Sequence, residues 1–170
     1  MTIIVCPLSH VPAVIDERRP SHLITLLDPE QLIETPAGVE PDRHLRLAVY
    51  DICEPREHMT PPDAAHVHRI LEFGRDWDAQ APMLIHCWAG ISRSTATAFM
   101  LACARNPHAD EEDIAWRLRR AAPHAYPNRQ LVRLADEALG RGGRMTAAVE
   151  AIGDNGMVPM GQPFDLPSRF

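Results

Sequence analysis

The sequence predicts a single α/β domain with a central, largely parallel sheet of about four to five strands flanked by helices. Two observations predict it. Short apolar runs alternate with helix-like stretches from Ile3 to Leu139, the order that builds parallel β-α-β units. The 170 residues suit one domain with a real core, and the 16 prolines fall mainly between the apolar runs, where they punctuate rather than interrupt.

Each element has its own signal. Ile3 to Val5 is a short buried strand, and Val11 to Arg18 a helix closed by Pro20. His22 to Leu27 is a second strand. Pro29 to Asp42 is turn-rich, with one helical turn around Glu30 to Ile33. His44 to Tyr50 alternates Leu45, Leu47 and Val49 on one face, a strand of period two. Asp51 to Pro62 is a loop. Thr60-Pro61-Pro62-Asp63 predicts a helix start, with Thr60 as cap and Pro61 at the first helical position. Val67, Ile70, Leu71 and Trp77 mark the buried face of that helix. Met83 to Ile85 is the next strand, and the apolar helix Arg93 to Ala104 is expected to be central. Asp110 to Ala121 is amphipathic, with acids in its first turn and Arg117, Arg119 and Arg120 in its last, complementing the helix dipole. Asn128 caps a helix carrying Leu131, Leu134 and Leu139. Gly140 to Gly143 is a break, so residues 1–140 form the main domain. Residues 141–170 are expected to add a short helix, Met145 to Ile152, and an extended arm packed on the same domain.

Composition excludes several classes. The net charge of −6 argues against a general nucleic-acid binder. No apolar run is long enough to span a membrane, and Met1 to Pro7 lacks the basic and apolar regions of a signal peptide, so a cytoplasmic protein is expected. Cys6, Cys53, Cys87 and Cys103 show no paired short spacing, so neither a disulfide framework nor a zinc site is suggested, and no cofactor is expected. Cys6 and Cys103 read as core. His66-x-His68 lies on a helix, where residues two apart do not share a face, so no metal is expected there. Oligomeric state is not legible.

The chemistry lies in His86-Cys87-Trp88-Ala89-Gly90-Ile91-Ser92-Arg93-Ser94, between an apolar strand and a helix. A loop entering a helix N-terminus presents free backbone N–H groups and partial positive charge. Wrapped around a tetrahedral anion, the amides of Trp88 to Arg93 form a phosphate nest. Gly90 lets the chain turn without a Cβ, and Arg93 supplies a planar fork for two phosphate oxygens. The same field lowers a cysteine pKa to roughly 3.5–7.5, so Cys87 is expected to be a thiolate nucleophile that forms a cysteinyl-phosphate. Ser94 can donate to the sulfur, and His86 orients the loop.

These residues resemble the signature of the cysteine-dependent protein tyrosine phosphatases, His-Cys, five residues, Arg, then Ser or Thr. Within that superfamily the loop looks most like the small dual-specificity type, and the chain also resembles a group of small bacterial tyrosine-phosphatase-like proteins that share Asp51-Ile52 after the third strand. The resemblance covers roughly His44 to Leu139, including a turn, Ala122 to Asn128, similar to the Pro-Asn turn before that group's last core helix. The first 40 residues match only in the order strand, helix, strand. The low-molecular-weight phosphatases place the cysteine near the N-terminus, ahead of the acid; here the order is reversed.

The resemblance implies a general acid on an upstream loop between a strand and a helix. Asp51 sits there, with Glu54, Glu57 and Asp63 as rivals. Asp51 would protonate the leaving oxygen and then activate water. The loop holds no lysine, which favours a monophosphorylated side chain. Trp88 either stacks on a substrate ring or packs beneath the loop. Cys53, two residues after Asp51, either pairs reversibly with Cys87 or is a half-buried loop cysteine. The expected function is hydrolysis of phosphotyrosine, and of phosphoserine or phosphothreonine, in a protein or peptide partner. The alternatives are a phosphate-reading binding module that does not turn over, and a phosphatase of nucleotides, RNA ends or inositol phosphates.

Overall fold

The computed structural model describes residues 1–154 and 158–170. Its strands are β1 (Thr2–Pro7), β2 (His22–Leu27), β3 (His44–Ala48), β4 (Met83–Cys87) and β5 (Phe164–Pro167). Its helices are α1 (Val11–Arg18), α2 (Ala64–Asp76), α3 (Arg93–Arg105), α4 (Glu111–Ala121), α5 (Arg129–Ala138) and α6 (Arg144–Ala151). The sheet order is β3-β2-β4-β1-β5; the first four strands are mutually parallel and β5 is antiparallel to β1. This is the expected α/β domain.

β2 and β4 are buried along their whole length, which is why they read as unbroken apolar runs rather than alternating ones. β4 is the middle strand, so the nucleophile candidate emerges from the most enclosed part of the sheet. α3 is buried from Arg93 to Cys103 because it lies against the sheet and is enclosed by α2, α4 and α5. On the opposite face, α1 covers a smaller apolar layer that includes Ile4, Cys6, Val14, Ile15, Leu23 and Leu84.

Three elements differ from the sequence reading. α2 begins after Asp63 rather than Thr60, because the residue preceding a proline is pushed out of helical geometry and Pro61 precedes Pro62. Asp63 then caps, accepting from His66 N at 3.1 Å while its own N–H donates to His66 Nδ1 at 3.2 Å. β3 ends at Ala48, two residues before Tyr50. The C-terminal arm, whose residues 155–157 lie outside the described residues, forms strand β5 over Phe164–Pro167, and α6 packs on α4 and α5. No helix among the described residues is long and apolar enough to cross a membrane.

Candidate active site

Cys87 ends β4 and Arg93 begins α3, so the intervening loop lies at the carboxyl edge of a parallel sheet, where such folds place their ligands. The loop's carbonyls are drawn outward. Trp88 O accepts from Leu8 N at 3.2 Å, Ala89 O from Gly161 N at 2.8 Å, Ile91 O from Tyr126 N at 2.9 Å, and Ser92 O from Asn128 N at 3.2 Å. In a trans peptide the N–H points opposite to the C=O, so tying the carbonyls back turns the amides inward. The amides of Ala89, Gly90, Ile91 and Ser92 donate no hydrogen bond among the described residues. Gly90 has φ +69°, and a Cβ there would stand 2.7 Å from Pro7 N, so conformation and space both demand glycine.

Cys87 is 2% exposed, and its Sγ lies 3.1 Å from Ser94 Oγ. Arg93 is also buried. Its Nη1 donates to Asp28 Oδ1 at 2.7 Å and to Val49 O at 2.7 Å, while its Nε, 3.9 Å from Asp51 Oδ2, makes no hydrogen bond. The guanidinium is thus held from behind with one buried donor unused, an arrangement that costs free energy unless an acceptor arrives.

Asp51 Oδ1 accepts from Ser92 Oγ at 2.7 Å and from Asn128 Nδ2 at 2.9 Å. It shares with Cys87, Arg93 and Asp28 a cleft of about 480 Å³. Glu54, Glu57 and Asp63 do not line that cleft. Glu57 instead lies 3.5 Å from His58, Asp63 caps α2, and Glu54 lines an adjoining cavity with Cys53 and Tyr126. Cys53 is exposed and lines that neighbouring cavity, not the Cys87 cleft. Trp88 is 49% exposed at the cleft rim, so it does not pack beneath the loop. His86 is fully buried, and burial lowers its pKa to about 4. No group of metal-ligating side chains forms among the described residues.

Sequence reasoning missed three contributors. Asp28 directly follows β2, and the rule that sites gather at strand carboxyl ends points to it. Asn128 was read only as a cap; its Oδ1 does accept from Leu131 N, but its Nδ2 holds Asp51. The C-terminal segment, through Val158, Pro159 and the Gly161–Ala89 bond, forms one wall of the cleft, and nothing in the local sequence signals that. Within the basic run of α4, Arg119 acts structurally, donating to the carbonyls of Pro123 and Ala125 at 2.7 Å each.

A Cys-x5-Arg loop joining a central parallel strand to a buried helix places this α/β domain in the cysteine-dependent phosphatase class. The chain belongs to the protein-tyrosine phosphatase family, whose profile matches residues 35–125. A search of curated proteins gives no match. Among solved structures the chain is similar to DUSP15, with TM-score 0.61, 17% identity, and 89% of this chain and 92% of that chain covered. It is similar to PTPMT1 in complex with PI(5)P, with TM-score 0.58, 18% identity, and coverage of 84% and 89%. It also resembles Tk-PTP in the active form, with TM-score 0.55, 16% identity, and coverage of 79% and 88%. At these identities the likeness is one of fold.

Proposed function

We propose that the protein is a cytoplasmic, metal-independent phosphomonoester hydrolase that acts on phosphotyrosine in proteins, and on phosphoserine or phosphothreonine where these reach the cleft. The observation that carries this reading is the inward-turned amide loop with Cys87 at one end and the unused Arg93 Nε at the other. Three phosphate oxygens occupy the nest and the guanidinium. Cys87 as thiolate attacks phosphorus, and the bond to the leaving oxygen breaks as Asp51 hands it a proton. Arg93 and the amides hold the equatorial charge. Water then attacks the cysteinyl-phosphate, giving its proton to Asp51, while Ser94 donates to the departing sulfur. His86 supports the loop. Residues 1–140 supply this chemistry, and residues 141–170 complete the cleft wall.

An aromatic phosphoester suits the rim, where Trp88 offers a face for stacking, and among the described residues Arg93 is the only lysine or arginine lining the cleft. The second reading is a non-protein phosphoester such as an inositol phosphate. PTPMT1, a structural neighbour, has been solved with PI(5)P, and Arg56 and Arg129 line the adjoining cavity. A binding module without turnover is the third reading.

The test is hydrolysis of para-nitrophenyl phosphate in EDTA by the parent and by Cys87→Ser, followed by phosphotyrosine, phosphoserine and inositol phosphate substrates at matched concentration. Turnover lost in Cys87→Ser and highest with phosphotyrosine is expected. No Cys87-dependent turnover, with retained phosphopeptide binding, assigns the binding module instead. Preference for the inositol phosphate assigns the second reading.

A further inference from the structure

A second cavity, of about 650 Å³, lies at the other end of α3 from the Cys87 cleft. Arg93 opens α3 at the cleft, and Arg105 closes it at this cavity. The helix has 13 residues, so its two ends stand about 18 Å apart. Four segments wall the cavity: α2, α3, the end of α5 and residues 168–169. Leu71, Leu101 and Leu139 give it an apolar lining, and the small side chain of Ala138 leaves its mouth open.

The rest of the lining is cationic. Arg75, Arg105 and Arg169 face this one cavity, and among the described residues no aspartate or glutamate lines it. Arg105 is fixed in place. Its Nη1 donates to the carbonyls of Gly74 at 3.2 Å and Trp77 at 3.1 Å, and its guanidinium lies 4.7 Å from the centre of the Trp77 ring. Among the described residues its Nε and Nη2 donate no hydrogen bond, and the guanidiniums of Arg75 and Arg169 have neither a hydrogen bond nor an ion pair. Elsewhere Arg18, Arg46, Arg93, Arg133, Arg141 and Arg144 each meet a carboxylate. The chain carries a net charge of −6, yet it leaves three guanidiniums around one hollow without an acid. A concave wall of one sign concentrates its field on whatever anion enters.

We propose that this cavity binds an anionic amphiphile: one aliphatic chain against Leu71, Leu101 and Leu139, ending in a carboxylate or phosphate held by Arg75, Arg105 and Arg169. Each half of such a ligand matches one part of the wall. The planar fork of a guanidinium takes carboxylate or phosphate oxygens in pairs. Methylene groups on the leucines remove apolar surface from water. The volume falls within the range of about 300–1,000 Å³ typical of small-molecule pockets. An inorganic anion leaves the leucines wet, and an uncharged lipid leaves the guanidiniums without an acceptor. The site is separate from the chemistry proposed at Cys87 and does not depend on it.

The test is a titration of the nitrogen-15-labelled protein, followed by its backbone amide spectrum. Decanoate should shift the amides of Gly74, Arg105 and Leu139 saturably and leave those of Gly90 to Ser92 in place. Decyl phosphate should shift the same three, whatever it does at the Cys87 cleft. Decanol and inorganic phosphate, the two half-ligands, should not shift them at matched concentration. Arg75→Glu combined with Arg169→Glu breaks no internal bond and should weaken decanoate roughly tenfold for each arginine. Ala138→Trp fills the mouth, keeps every charge and should weaken both amphiphiles. No shift at the three amides, shifts confined to Gly90 to Ser92, decanol binding as tightly as decanoate, or a double variant that binds like the parent overturns the proposal. Cosedimentation with phosphatidylglycerol vesicles without any response to the free amphiphiles also overturns it, since it assigns a membrane-facing surface in place of a pocket for one chain.

Discussion

Asn128→Ala removes three hydrogen bonds from one buried side chain, and the two shorter ones, to Asp51 and from Leu131 N, can be valued separately from the long one to Ile52 O at 3.5 Å. Asn128 Oδ1 caps α5 by accepting from Leu131 N at 3.0 Å. Losing an asparagine cap costs about 1 kcal/mol. Asn128 Nδ2 donates to Asp51 Oδ1 at 2.9 Å. A bond to a charged group is worth about 1.5–3 kcal/mol, but the Asp51 side chain is 36% exposed and keeps its bond from Ser92, so about 1 kcal/mol is expected here. Asn128→Ala should therefore lose about 2 kcal/mol, which lowers the melting temperature of a domain this size by about 4–8 °C. Asn128→Ser keeps a capping oxygen but cannot supply the amide donor, so it should lose only about 1 kcal/mol. Both should lower kcat on aryl phosphates to a similar degree, because Asp51 loses its bond from Asn128 in each and keeps only the one from Ser92. Urea titration followed by fluorescence of the buried Trp77 measures the first effect, and steady-state kinetics the second. Equal destabilisation by Ala and Ser would refute the cap assignment. Full activity in both would refute the claim that Asn128 holds Asp51.

Asp51→Asn should lower the rate on phenyl phosphate by about 10²-fold or more and remove the basic limb of the pH–rate profile, since that limb reports loss of the acid's proton; an unchanged basic limb would assign the acid elsewhere. Glu111→Ala should cost about 3–5 kcal/mol, because it strips the buried Arg141 of its carboxylate partner at 2.8 Å; a loss under about 1 kcal/mol in urea titration would show that the Cys103 and Pro107 carbonyls hold Arg141 unaided. Stability should fall as pH drops from about 6.5 towards 4. His86 has its pKa lowered to about 4 by burial, so the unfolded chain takes up the proton first and the loss approaches about 3 kcal/mol. A urea midpoint that stays flat across this range would mean that His86 is not held neutral.

Much of the fold was legible because its signals are local. The unbroken apolar run at His22 to Leu27 reflects a strand buried on both faces, and Asn128 announced a helix start that the structure realises through Leu131 N. The start of α2 was misplaced because Thr60 looked like a cap, while the steric effect of Pro62 on Pro61 moves the helix start to Asp63. Strand β5 was unreadable because it is short and forms only by pairing with β1, more than 150 residues away in sequence. Trp88 could be read either way from its position alone; only its exposure at the rim settles which side of the loop it occupies.

By itself, the sequence determined the loop from His86 to Ser94. Its nine residues are contiguous, so strand end, glycine turn and helix N-terminus follow from local backbone geometry and the helix dipole. The surroundings of that loop were decided only by tertiary structure. Asp28 behind Arg93, Asn128 on Asp51, Gly161 on Ala89, and Thr25 between two histidines are all contacts across large sequence separations. Such contacts depend on strand order and register, which the packing of the whole core selects, and no short stretch of residues encodes them.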